Sequence, residues 1–331
     1  MLNYLGFFVS TLIFGLLKGG RYDLVYVYHP PVTPALAASL FCTMRRQPFV
    51  VEIQDLWPDS VNTSGMANPH IVGMLKRACD FVYRRAACVI AQSDGMKAEL
   101  ARRGVPDDRL TTVFNWATYR PALPGQTMPE RIAATFAGRL NLVYGGNIGQ
   151  AQQLDVLIKA AIAAQARFPA IRLHLVGDGI DRAELQAMVL QAGADDAIVF
   201  HDPVDRDAMD RVFDTADILA MHLMDDPLYL ITIPSKTQHY LACGKPVVAG
   251  LPGEAGTILR RSGAADVVAP GDPDALAAAM IRVCEQTEEG RAAMSAAGRR
   301  YYDEHFSFAA AIEATGAVVT RAADMKRNGR A

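Results

Sequence analysis

From Arg21 onward, short apolar runs alternate with helical patterns, and turn residues punctuate them. Residues 24–28, 49–53, 88–91 and 111–114 are rich in β-branched or aromatic side chains, the mark of strands. Helical periodicity fills the intervals at 33–44, 69–87 and 94–103. Strands that are apolar along nearly their whole length are buried on both faces, so the alternation predicts a parallel sheet covered by helices. Ahead of this series, Tyr4 to Leu17 runs 14 residues without a charge. That is short of the roughly 20 residues needed to span a bilayer. With no basic residue before it and no A-x-A site after it, the segment does not read as a signal peptide. Lys18-Gly19-Gly20 closes it as a helix stop. The expectation is a buried helix, with a membrane-inserted segment as the alternative.

Arg120-Pro121-Ala122-Leu123-Pro124-Gly125 then breaks the pattern, as a linker does. A second series follows, with strands at 140–144, 172–176, 198–200, 218–221, 246–249 and 265–268. Helices are expected near 154–168, 181–192, 205–215, 236–243, 254–261 and 273–286, and helical tails at 289–304 and 308–325. The predicted class is α/β, with two Rossmann-like doubly wound parallel-sheet domains. The first occupies residues 1–120, a linker 121–139, the second 140–300, and a helical tail 301–331. Tandem units of this kind suggest a ligand held between them, at the carboxyl ends of the strands.

Charge changes the picture in one respect. The 331 residues carry 33 Lys and Arg against 35 Asp and Glu, a net charge of −2, which argues against a dedicated nucleic-acid binder. The sum hides a split. Residues 1–120 hold 13 basic and 9 acidic side chains, and residues 121–331 hold 20 and 26. An apolar content of 51% with 21% charged residues excludes a disordered chain. The five cysteines lack paired spacing and read as buried thiols of a reducing, cytoplasmic setting. No histidine spacing suggests zinc.

Candidate chemistry gathers at predicted strand ends. Gly145-Gly146-Asn147-Ile148-Gly149 follows the first strand of the second unit, where glycines let backbone approach a phosphate. It is neither a dinucleotide fingerprint nor a P-loop, and a tight turn would also use glycine. Gly177-Asp178-Gly179 follows the next strand in the same way. Ile233-Pro234-Ser235-Lys236 opens a helix that Ser235 can cap. A lysine there opposes the helix dipole unless an anion sits in front of it. Glu254, at another helix start, is either a favourable dipole partner or a carboxylate for a ribose diol. In the first unit, Gln54 and Asp55 leave a strand for a loop, and Asp55 is either a base or a turn-former. His29 ends an earlier strand. A basic helix over 69–87, with apolar Ile71, Met74 and Leu75, suits either an anionic membrane surface or ordinary packing.

In order along the chain, these segments resemble the family 4 glycosyltransferases of the GT-B fold, and within them the WbuB-like N-acetyl-L-fucosaminyltransferase group. Residues 51–60 resemble V-x-x-x-D-L-W-P-[DE]-S, and Phe114-Asn115-Trp116 resembles P-N-W. Residues 142–153 resemble Y-x-G-N-I-G-x-x-Q, and residues 233–248 resemble I-P-S-K-x-x-x-Y-[LM]-A-x-G-K-P-V-[IV]. The resemblance implies retaining transfer of a hexosyl group from a UDP-sugar to a lipid-linked or saccharide acceptor in bacterial surface-polysaccharide synthesis. The nucleotide sugar is a substrate, and neither cofactor nor metal is implied. Gly146, Asn147, Gly149, Gly177, Lys236 and Glu254 would hold the donor, with Lys236 also meeting charge on the leaving group. Asp55 would serve catalysis, with His29 and Gln54 beside it on the acceptor side. The enzyme would work at the inner face of the plasma membrane, and its last helix would cross back to the first domain. Two departures stand out. Thr237-Gln238-His239 stands where the second glutamate of the family's E-x7-E motif is expected, and Gln54 replaces a histidine common beside Asp55. The sequence also opens inside the first domain, so roughly 70–90 residues of a full domain are expected to be missing. A sugar-nucleotide 2-epimerase and a non-catalytic binding subunit are the rival readings.

Overall fold

The computed structural model describes residues 2–59, 69–123 and 125–327. The chain divides into two compact units. One comprises residues up to Asn115 together with those from Phe308 onward, and the other comprises Trp116–Ser307.

The first unit is a parallel sheet of β1 (Val25–His29), β2 (Phe49–Ile53), β3 (Cys88–Ala91) and β4 (Leu110–Thr112), in that spatial order. The crossovers are α2 (Val32–Arg45), α3 (Pro69–Arg85) and α4 (Asp94–Arg102). Ser93 starts α4 by accepting a hydrogen bond from the Met96 N–H at 2.9 Å, an N-cap. The terminal helix α14 (Phe308–Arg327) lays Ala311, Val318 and Ala322 on Val50, Cys88 and Ile90 of one sheet face.

The first helix, α1 (Leu2–Lys18), departs from the expected burial. Tyr4, Leu5, Phe7, Val9, Ile13, Phe14 and Leu17 are 43–71% exposed. Apolar residues surround the whole helix, and a single seam on α2 covers only one side. At that seam Gly15 lets α1 approach Phe41 so closely that a Cβ would meet its ring at 2.3 Å. Among the described residues, no helix is long and apolar enough to cross a membrane.

The second unit holds six parallel strands: β5 (Leu140–Gly145), β6 (Ile171–Val176), β7 (Ile198–His201), β8 (Ile218–His222), β9 (Val247–Gly250) and β10 (Ala265–Val268). Their order is β10-β9-β8-β5-β6-β7. Helices α5 (Glu130–Phe136), α6 (Leu154–Arg167), α7 (Arg182–Gln191), α8 (Arg206–Thr215), α9 (Pro227–Leu230), α10 (Ser235–Cys243), α11 (Gly253–Ser262), α12 (Pro273–Cys284) and α13 (Glu288–His305) complete it. The chain winds one way from β5 to β7 and the other way from β8 to β10. The order therefore reverses between β5 and β8, where open α/β sheets bind ligands.

Residues 121–139, expected to be a linker, belong to this second unit. Carboxylates of α8 hold their leading segment. Asp210 accepts from the Arg120 N–H and Asp214 from the Ala122 N–H, each at 3.1 Å, and the Tyr119 hydroxyl also donates to Asp214. Beneath the sheet, His174 of β6 and His201 of β7 form a buried chain with Asn141. The Asn141 amide donates to the Phe136 and Arg139 carbonyls, so its oxygen must accept from His174 Nε2 at 2.9 Å. His174 Nδ1 then accepts from His201 Nε2 at 3.0 Å. Burial above all holds both rings neutral, lowering their pKa values to about 3 for His174 and about 4 for His201.

Candidate functional site

At the carboxyl ends of β5 and β6, two glycine turns are laced together. Gly146 donates to the Val176 carbonyl at 2.9 Å, and Ile148 donates to the Asp178 carbonyl at 2.8 Å. The approach is closest at Gly177, with φ +152°, where a Cβ would fall 1.9 Å from the Gly146 oxygen. Glycine there is thus a steric requirement rather than a turn preference. Arg182 braces the turn, giving one hydrogen bond to the Gly177 carbonyl at 2.8 Å and another to Asp202. Because the Gly146 and Ile148 N–H groups serve the fold, the donors left open in the first turn are those of Asn147 and Gly149. The Asn147 side chain bonds Gln152 Oε1 at 3.0 Å, and its carbonyl accepts from the Tyr144 hydroxyl at 2.5 Å.

Lys236 meets this turn from α10. Its ammonium would lie 2.7 Å from a Cβ placed on Gly146, and it sits 5.0 Å from the Tyr144 ring centroid. Pro234 is the N-cap of α10 and no side chain bonds its first turn. Ser235, expected as the cap, is instead the first helical residue, because the preceding proline takes the extended cap conformation. Burial alone shifts the Lys236 pKa, lowering it to about 8, and no carboxylate offsets the effect. A half-buried cation, an uncapped helix terminus and open turn N–H groups thus converge, which is the composition of an anion site. The sequence motifs pointed to these glycines and to Lys236. Tyr144 opens one of those motifs, but only the fold shows its ring 5.0 Å from the ammonium.

Other expected residues are placed differently. Glu254 is half-buried in the first turn of α11. Gly253 before it, φ +61°, would carry a Cβ into the Leu230 backbone at 2.3 Å, so α9 and α11 abut there. His222, at the end of β8, ties two loops: its Nδ1 donates to the Gln152 carbonyl at 2.9 Å, and its Nε2 accepts from the Gly271 N–H at 3.0 Å. His239 contacts Asp210 at 2.9 Å, and burial lowers its pKa.

In the first unit, Asp55 is exposed on the loop after β2. Surrounding chain still desolvates it enough to raise its pKa above the ordinary carboxylate value. Gln54 is half-buried and forms a reciprocal amide pair with Asn115, at 2.7 and 3.2 Å. His29 is fully buried, edge-on to Trp57 and Tyr83, and burial depresses its pKa to about 4. The ring has no exposed surface, unlike Asp55 on the loop after β2. Among the described residues, no group of three or more His, Cys, Asp or Glu is placed to hold a metal ion.

Residues 139–286 match the family described as glycosyl transferases group 1, and residues 3–116 match the glycosyl transferase 4-like domain. A D-inositol 3-phosphate glycosyltransferase of Arthrobacter sp. is 31% identical over 117 residues, covering 34% of this chain and 27% of its own. One from Streptomyces griseus is 29% identical over 227 residues, covering 63% and 46%. The chain thus spans less than half the length of these curated relatives. In fold it is similar to Anabaena HepE solved with UDP. That match has a TM-score of 0.73 and 18% identity, and covers 96% of this chain and 81% of the other.

Proposed function

We propose that this chain is a family 4 glycosyltransferase of the GT-B fold, a reading that the two matched domain models support, and that it moves a hexosyl group from a UDP-sugar to a lipid-linked or saccharide acceptor with retention of configuration. The observation that carries the reading is the Lys236 ammonium set over the Gly146 turn without a carboxylate partner. A diphosphate accepts hydrogen bonds from the Asn147 and Gly149 N–H groups and from the first turn of α10, while Lys236 neutralises it. As the glycosidic bond breaks, negative charge grows on the leaving diphosphate, and a fixed cation stabilises that charge more than it stabilises the ground state. Gly177 lets the two turns approach closely enough to form this floor, and Glu254 offers a carboxylate to the ribose hydroxyls. These groups act without a cofactor or metal ion. HepE, which shares the fold, was solved with UDP, and this supports the choice of nucleotide.

In the first unit, Asp55 orients or deprotonates the acceptor hydroxyl, its raised pKa bringing it nearer to a base working at neutral pH. The likeness of residues 51–60 and 233–248 to the WbuB-like group points to N-acetyl-deoxyhexosaminyl transfer in surface-polysaccharide synthesis. The basic side chains of α3, Lys76, Arg77, Arg84 and Arg85, fit work at an anionic membrane surface, and the exposed apolar residues of α1 add apolar area for it. Incubation with a panel of UDP-sugars and membrane extract, read by mass spectrometry, tests the proposal. A hexosyl adduct on an extract component is the expected product. Epimerised nucleotide sugar formed without an acceptor would replace it with a 2-epimerase, and UDP binding without turnover would replace it with a binding subunit.

A further inference from the structure

The face of the first sheet that carries α14 is apolar where the helix covers it, at Val50, Cys88 and Ile90. Toward the carboxyl ends of the same strands it turns polar. Glu52, Gln54, Gln92 and Asn115 are all half-buried there, in a kind of sheet whose strands are normally apolar throughout. They form one hydrogen-bonded row. The Tyr26 hydroxyl and the Gln54 amide donate to Glu52. Gln54 and Asn115 exchange amide bonds, and Asn115 donates onward to Gln92 Oε1 at 2.6 Å. The row closes on itself everywhere except at its ends. At one end the Gln92 amide nitrogen keeps both donors. At the other the Glu52 carboxylate, which offers about four acceptor positions, uses two.

We propose that this row is the acceptor-sugar site, and that it binds the hydroxyl groups of a neutral saccharide rather than a phosphorylated polyol. The inference rests on the reading of the chain as a glycosyltransferase and names the acceptor class. Its first support is the chemistry of the two open ends. Carboxylate oxygens at one end of the row and amide N–H groups at the other suit hydroxyls set on different parts of a saccharide, each of which donates and accepts. The second is charge. Among the described residues no Lys or Arg pairs with Glu52, and a phosphate brought here would face an unneutralised carboxylate. This departs from what the names of the D-inositol 3-phosphate glycosyltransferases imply for those relatives. The third is apolar surface. Tyr26 and Tyr28, 40% and 59% exposed, present ring area beside the row, suited to the C–H face of a pyranose. Asp55 directly follows Gln54 in the chain, so the row adjoins the candidate catalytic carboxylate.

The test uses the full chain and saturation-transfer NMR with four probes. These are the methyl glycosides of glucose, N-acetylglucosamine and fucose, and D-inositol 3-phosphate. At least one neutral glycoside is expected to receive saturation, and the inositol phosphate none. Gln92→Glu keeps the acceptor that Asn115 uses but removes the free amide donors. Glu52→Gln keeps shape and removes charge. Each should lower the glycoside signal at least fivefold while UDP affinity by calorimetry stays within twofold. Binding of the inositol phosphate alone, no glycoside binding, or an undiminished signal in both variants overturns the proposal. A wild-type chain that fails to bind UDP refutes the donor reading instead, so the two fail on separate measurements.

Discussion

Replacing Lys236 by methionine should move stability and ligand affinity in opposite directions. In the free protein the ammonium is held where burial lowers its pKa from 10.5 to about 8. The charged form is therefore disfavoured on folding. Each pKa unit corresponds to about 1.36 kcal/mol, so the penalty near neutral pH reaches about 3 kcal/mol, less roughly 0.5–1 kcal/mol returned by the Tyr144 ring. The sign follows from linkage. A cation whose folded pKa is depressed makes the fold weaker below that pKa, and the deficit fades as pH rises from about 8 toward the unfolded value. Lys236→Met, similar in length and apolar, should remove the penalty and stabilise the free chain by about 1–3 kcal/mol at pH 7. The same change should weaken UDP by about 1.5–3 kcal/mol, the range for a lost charged hydrogen bond. Wild-type affinity should also fall about tenfold between pH 7 and pH 9 as the free lysine deprotonates, with proton uptake on binding at the higher pH. Urea unfolding and calorimetry in two buffers of different ionisation enthalpy read all three effects. A variant less stable than wild type, or one retaining both UDP affinity and its pH dependence, would refute the assignment of Lys236 as an anion ligand.

Three further outcomes follow from the geometry. Gly177→Ala forces a Cβ onto the Gly146 carbonyl, and strain with overpacking should cost about 2–4 kcal/mol in urea unfolding. A destabilisation under 1 kcal/mol would mean that the turns part freely. Asp55→Asn should lower turnover at least tenfold with UDP affinity unchanged by calorimetry, and equal loss of both would assign the residue to folding. His174 and His201 have folded pKa values depressed to about 3 and 4, so their contribution is complete above the unfolded value near 6.5 and is lost as pH falls toward 4. Unfolding free energy should drop by roughly 1.4 kcal/mol per pH unit for each ring in that window. Imidazole resonances of either residue titrating above pH 6 in the folded chain would contradict this.

Much of the scaffold could be read from short-range pattern. The strands at 49–53, 88–91 and 265–268 were bounded to the residue, because β-branched runs between turn residues admit few alternatives. Lys236 could be singled out by a local contradiction, a cation at the positive end of a helix dipole. What could not be read depends on residues distant in sequence. The short helix at Glu130–Phe136 buries only Ile132 and Phe136, too weak a periodicity to see. The burial of His29 depends on Trp57 and Tyr83, and the exposure of α1 depends on how little of α2 is available to cover it. The polar row on the first sheet was present as Glu52, Gln54, Gln92 and Asn115. Four polar residues spread over 64 positions carry no spacing signal until parallel strands align them.

The carboxylates of α8 that grip residues 119–122 also decide where the second unit can be cut from the chain. Asp210 is almost fully buried. Its acceptor positions are filled by the Arg120 N–H and His239, and those of Asp214 by Tyr119 and the Ala122 N–H. A fragment begun at Leu140, where the periodic pattern resumes, would strip the backbone donors from both and leave the nearly buried Asp210 with one hydrogen-bond partner fewer. One begun at Trp116 would carry those donors with it. The irregular stretch rich in proline is therefore the first structural segment of the second unit, and a fragment of that unit for ligand studies should start there.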